Sequence, residues 1–260
     1  MASGKASKKK RAQAPVQAPM RRKDSRSGDR RLWVAAAVAA VLVLAAVAAT
    51  LLTRGEEGGG AAAGATLPEA SEIASLFRGI PQTGTTLGRP DAPVTLVEFL
   101  DMQCPFCRQF ETEVVPTLAG DHVRGGRLRL ETRGLAFIGP DSERGLRAVL
   151  AAGLQGRLYE LRALLYANQG SENAGWLSED LVEAAARSIP GLDVPRLLRD
   201  MESAEVSDLI SQHADEAGRR GVNSTPTVLV GPTGGELRLV QMESAGDLAA
   251  VEAAIEAAAG

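Results

Sequence analysis

Apolar residues change their spacing several times along this chain, and each change marks an element. Leu32 to Leu52 is an unbroken run of 21 residues with no charge and one hydroxyl, Thr50. As a helix it reaches about 31 Å, the thickness of a bilayer core. Ile73, Leu76 and Phe77 recur at helical spacing and predict a short amphipathic turn. Val94–Leu100 is short, apolar and β-branched, and it follows Pro90-Asp91-Ala92-Pro93. That pattern predicts a central strand buried on both faces. A helix is expected from Pro105 to about Leu118, and a second strand over Leu128–Leu135.

The period then becomes helical. Leu146, Val149, Leu150 and Leu154 form one stripe, and Leu158, Leu161, Leu164 and Leu165 another. Leu181, Ala184 and Ala185 mark a third helix, with Ser178 as its N-cap, and Val206, Leu209, Ile210 and Ala217 mark a fourth. Thr227–Val230 reads as a strand ending at Gly231-Pro232, with Leu237–Val240 as its hairpin partner across Thr233-Gly234-Gly235. Leu248, Val251 and Ile255 predict a closing helix, opened by Ser244 with Asp247 three residues on. His213 falls on an apolar helical face and is expected to be a packed histidine, while His122 is expected in a loop. Strand, helix, strand, several helices, hairpin, helix is an α/β order with no internal repeat.

This patterning divides the chain into a basic tail (1–31), a transmembrane helix (32–53), a flexible linker (54–69) containing Gly58-Gly59-Gly60, and a folded body (70–260). Charge sharpens the division. Residues 1–31 hold 11 Lys/Arg against 2 Asp/Glu, a net of +9, which leaves 18 against 30 in the remainder, a net of −12. A basic flank keeps its side of a span in the cytoplasm, so the body is expected outside it, on a single-pass anchor. A cleaved signal peptide is the rival reading, but its apolar region is usually shorter than this one. An acidic body also argues against nucleic acid as a partner, because phosphates would repel it.

The chain holds two cysteines, in Cys104-Pro105-Phe106-Cys107. Placed at random they would fall three apart about 1% of the time, so the spacing carries information. Two cysteines cannot staple a small scaffold or build a four-thiolate zinc site. On the first turn of a helix, residues i and i+3 lie within disulfide reach. Pro105 suits the first helical position, which puts Cys104 at the N-cap. There the free backbone N–H groups and the positive helix end favour its thiolate. Cys107, one turn in, is expected to be more buried and to act as the resolving thiol. A structural disulfide closing four residues would constrain little chain. Metal binding would need two further ligands, and no metal site is predicted. No flavin or nicotinamide fingerprint is present, so no cofactor is expected.

Two further features bear on this pair. Glu98 stands in the middle of the apolar strand that feeds the cysteine helix. It either lies beneath the sulfurs, where a buried carboxyl could exchange a proton with Cys107, or reaches solvent at the strand end. Ser224-Thr225-Pro226-Thr227 precedes the later strand. Thr225-Pro226 is either a trans start to that strand or a cis-Pro loop that exposes backbone to an extended substrate.

Together these residues resemble the DsbA-like thiol:disulfide oxidoreductases of the thioredoxin superfamily. The stretch from Pro90 to Phe99, leading into Cys104-Pro105-Phe106-Cys107, is similar to that family's first core strand and active-site turn. Gly221-Val222-Asn223-Ser224-Thr225-Pro226-Thr227 is similar to its cis-Pro loop. The resemblance covers about residues 70–258. It implies a thioredoxin-like fold with a helical insertion at about 141–218, Cys104 as nucleophile, Cys107 as resolving cysteine, Glu98 as buried acid, and Thr225 and Pro226 as substrate contacts. It further implies a membrane-anchored bacterial enzyme outside the cytoplasm. Its expected substrates are exported proteins with thiols or disulfides, and its expected reoxidant is a quinone-linked membrane protein. One departure stands out: strong oxidants of the family carry His where this chain has Phe106, so Pro105 and Phe106 leave the oxidising strength open. The alternatives are a reductase or isomerase of exported thiols, and a tethered binding or metal-delivery module.

Overall fold

The computed structural model describes residues 66–260. The expected span at 32–53, the basic tail and most of the linker lie outside the described residues. Among the described residues, no helix is long and apolar enough to cross a membrane. Leu67, expected in the linker, is buried, and its N–H donates to Ser188 Oγ at 2.9 Å.

Among the described residues six strands form one sheet: β1 (Gln82–Thr83), β2 (Thr86–Leu87), β3 (Val94–Asp101), β4 (Leu128–Leu135), β5 (Thr227–Pro232) and β6 (Arg238–Leu239), in the order β1-β2-β4-β3-β5-β6. β3 runs parallel to β4 and antiparallel to β5. Every residue of β3 is buried, as its unbroken apolar run predicts for a strand covered on both faces. β4 alternates instead: Leu128, Leu130 and Thr132 turn inward, while Arg129, Glu131 and Arg133 stay half-buried. Sequence reasoning missed β1 and β2. They are two residues each and carry no periodicity of their own; pairing with β4 defines them.

The helices are α1 (Ala70–Phe77), α2 (Pro105–Glu113), α3 (Pro140–Gly153), α4 (Leu158–Ala167), α5 (Glu179–Arg187), α6 (Val194–Met201), α7 (Ala204–Arg220) and α8 (Leu248–Ala259). α2 links β3 to β4, and α3 to α7 form the helical insertion between β4 and β5. α2 stops at Glu113, short of the expected Leu118. Pro116 has no N–H to donate to the previous turn, and the chain continues as a short helical piece (Val115–Thr117) and a π-helical turn (Leu118–Val123). His122, expected in a loop, lies in that turn and is buried. Ser178 caps α5 as predicted, its side chain accepting from the Leu181 N–H. α6 has no counterpart among the expected elements. Asp193 caps it, and only Leu197 and Met201 are buried, too few points to declare a period. The cap of α8 is Asp247, not Ser244: its carboxylate accepts from Ala250 and Glu243 N–H groups.

The strand period sorts β3 onto two cores. Val97 and Phe99 pack with Leu135, Leu229 and Ala217 of α7, while Leu96 and Leu100 join the larger core under the other helices. Glu98 shares the face of Leu96 and Leu100. α3 approaches β4 closely at Gly134, where a Cβ would come within 1.9 Å of Leu146.

Candidate active site

β3 delivers the chain to the site and α2 receives it. Between them Asp101 is fully buried and fixes the turn with both carboxylate oxygens. Oδ1 accepts from the Gln103 N–H at 2.9 Å, and Oδ2 from Phe137 and Ile138 at 3.0 and 3.2 Å. The helical insertion fastens the same turn. Tyr166 Oη donates to the Asp101 carbonyl at 3.0 Å, and Gln169 Nε2 donates to the Met102 and Cys104 carbonyls, both at 3.2 Å. Gln103 donates to Ser142 Oγ and accepts from the Asn173 N–H.

Cys104 occupies the N-cap of α2 with extended backbone, and Pro105 takes the first helical position. Cys107 is fully buried, whereas 5% of Cys104 is exposed. Both are free thiols. The Thr225–Pro226 bond is cis, and in its protonated form the Cys104 thiol donates to the Thr225 carbonyl at 3.3 Å. Phe106 is 60% exposed on the first turn of α2.

The two sulfurs are electrostatically opposite. Hydrogen bonds from Cys107, the Thr225 side chain and the Cys107 and Phe106 backbone bring the Cys104 thiol down to about 6, although burial opposes them. Burial raises the Cys107 thiol well above its ordinary value, and Cys104 and Glu98 add to the rise. A cysteine at a helix N-terminus beside donors becomes thiolate, while one sunk in an apolar core stays protonated.

Glu98 does not reach solvent. It is buried, and desolvation pushes its carboxyl up to about 7 despite the pull of Arg162. Arg162 Nη1 donates to Glu98 Oε2 and Thr132 Oγ1, each at 3.0 Å. Its Nη2 lies 2.6 Å from Glu111 Oε2, an ion pair whose angle is outside hydrogen-bond geometry. The guanidinium also stacks 4.6 Å from the Tyr159 ring centroid. Desolvation raises Glu111 as well.

Sequence reasoning singled out Cys104, Cys107, Glu98, Thr225 and Pro226, and the fold brings them to one place. It missed Glu111, Arg162 and Asp101. Signals for two of them were present: Glu111 lies four residues after Cys107 on the same helix face, and Arg162 is a lone cation among Leu158, Leu161, Leu164 and Leu165. His213 is the packed histidine expected. Its Nδ1 accepts from the Gly134 N–H at 3.1 Å, and burial lowers its pKa to about 4.

Known proteins share this architecture. The thioredoxin family model matches residues 81–245. A probable disulfide bond formation protein D of Bacillus cereus is 32% identical over 151 residues, which span 57% of this chain and 70% of that protein. The crystal structure of a thioredoxin-like oxidoreductase from Silicibacter pomeroyi superposes with a TM-score of 0.54 at 32% identity, covering 71% of this chain and 96% of the other. Oxidised BdbD from Bacillus subtilis superposes with a TM-score of 0.60 at 20% identity, over 69% of this chain and 97% of its own, and so shares the fold. The chain therefore belongs to the thioredoxin family, within its DsbA-like branch of thiol:disulfide oxidoreductases.

Proposed function

We propose that this protein donates disulfides to exported proteins through Cys104 and Cys107, from a body held outside the cytoplasm by the apolar segment 32–53. The observation that carries the direction is the contrast between the two sulfurs. A Cys104 thiolate stabilised to about 6 is a good leaving group, and it stabilises the reduced form. The first speeds release of the oxidised substrate, and the second moves the pair in the oxidising direction relative to two unperturbed thiols.

A substrate thiolate attacks Cys104 Sγ and forms a mixed disulfide; the Cys104–Cys107 bond breaks and its electron pair stays on Cys107. Glu98 in its acid form supplies the proton that this buried sulfur needs. A second substrate thiolate then attacks the substrate sulfur, releasing Cys104 as thiolate. Two electrons have passed from substrate to the cysteine pair. Thr225 and Pro226 line the approach, with the Thr225 carbonyl already at Cys104, and Phe106 offers an exposed apolar contact beside it. Reoxidation falls to a quinone-linked membrane protein, as the resemblance implies. The similarity to the Bacillus cereus protein, a probable disulfide bond formation protein, supports the same direction.

The test is the equilibrium reduction potential of the full chain in detergent, titrated against glutathione. A disulfide donor lies between about −120 and −180 mV. A value at or below about −230 mV would make the protein a reductase.

A further inference from the structure

Arg162 serves two buried carboxylates with one guanidinium. Nη1 meets Glu98 at 3.0 Å and Nη2 meets Glu111 at 2.6 Å, and the three side chains are 4% exposed or less. Among the described residues, Glu98 Oε1 and Arg162 Nε have no hydrogen-bond partner. The groups facing Glu98 are Cys104 at the N-cap of α2, Cys107 and Glu111 from α2, and Arg162, Tyr159 and Tyr166 from α4. Its neighbours in the sheet are Thr132 on β4 and the apolar Val228 on β5. Two carboxylates and one guanidinium leave the cluster one charge short of neutral. Burial penalises that residual charge, so a proton is its natural fourth member.

We propose that Glu111 is a positioning residue for disulfide exchange: by sharing Arg162 with Glu98 it leaves Glu98 a proton to give to Cys107. The inference rests on the proton transfer between Glu98 and Cys107 proposed above. With Glu111 present, Arg162 is half-committed, and Glu98 need not stay ionised to pair it. Without the Glu111 charge, Arg162 would belong to Glu98 alone and hold it as carboxylate. In the step itself, Cys107 takes the electron pair of the broken S–S bond and the proton of Glu98. The new carboxylate forms against a guanidinium already in place.

The test uses the full chain in detergent. The oxidised protein is reacted with glutathione across the pH range, and the glutamate carboxyls are titrated by ¹³C NMR. Wild type should show an inflection near 7 that Glu98→Gln removes. Glu111→Gln should move the inflection down by about one pH unit or more and slow exchange at neutral pH by about tenfold. Glu111→Asp, which keeps the charge, should restore much of both. An inflection that stays in place in Glu111→Gln while Glu98→Gln abolishes it would overturn the role of Glu111. An inflection that survives Glu98→Gln would instead remove the Glu98 reading. Should Glu111→Gln fail to fold, wild type alone decides. Each carboxyl resonance must shift at the pH where the other titrates, and two independent single-step curves would sink the proposal.

Discussion

Each face of the sheet sets an arginine between two glutamates, and the carboxyls of the two clusters respond differently. On one face Arg162 bridges Glu98 and Glu111, all buried. On the other, Arg133 bridges Glu131 at 2.7 Å and Glu216 at 2.8 Å, with side chains 14–20% exposed. Glu216 feels burial too, but the hydrogen bonds and charges of Arg133 and Arg220 win and lower it. In the buried cluster the same kinds of partner lose to desolvation, and both carboxyls rise. Two things separate the clusters: the outer one keeps a share of solvent, and it holds two further cations, Arg129 on Glu131 and Arg220 on Glu216, each at 2.9 Å. A partly hydrated cluster is a salt bridge, whereas a dry one is a place to keep a proton.

The contrast can be broken most severely by removing the arginines. Arg162→Met strands two buried carboxylates and should cost about 3–5 kcal/mol of stability. Arg133→Met leaves its partners near water and should cost about 1 kcal/mol. Urea unfolding of both variants measures the difference. The Arg162→Met deficit should shrink on acidification, because a protonated carboxyl no longer needs the cation. Equal costs for the two variants would erase the distinction.

Redox coupling sharpens it next. Below a pH of about 6, reduction takes up a proton at each sulfur; above it, Cys104 stays thiolate. The potential should therefore fall with pH by about 59 mV per unit below the break and about 30 mV above it. Glu98 adds its own inflection near 7. Glu216→Gln, on the other face, should overlay wild type throughout.

At neutral pH the effect of His213, which packs against Gly134 of β4, vanishes, and it emerges only on acidification. Burial holds it near 4, so the unfolded chain binds a proton that the fold does not between about 6.5 and 4. Stability should decline as pH falls through that window. His213→Gln should flatten this part of the curve, read from the urea midpoint at each pH.

The sequence made the redox pair legible because its geometry is local. Four consecutive residues, one proline and a helix start place both sulfurs. Glu98 announced itself as an acid in an apolar strand. Its partner did not, because Arg162 lies 64 residues away and only packing joins them. The same holds for the fold. β3, β4 and β5 declared themselves by their apolar runs, while β1 and β2 exist by pairing and α6 by a cap and two buried side chains. The start of α8 went to Asp247 over Ser244, a choice between two competent caps that spacing alone does not make.

The mounting of the cysteine turn has a consequence for anyone who would transplant it. Tyr166, Gln169, Asn173 and Ser142 reach out of the helical insertion to grip Asp101 through Cys104. The insertion is thus the bracket on which the reactive sulfur hangs. Pasting the four-residue motif into a bare thioredoxin scaffold would carry over its spelling and leave its footing behind.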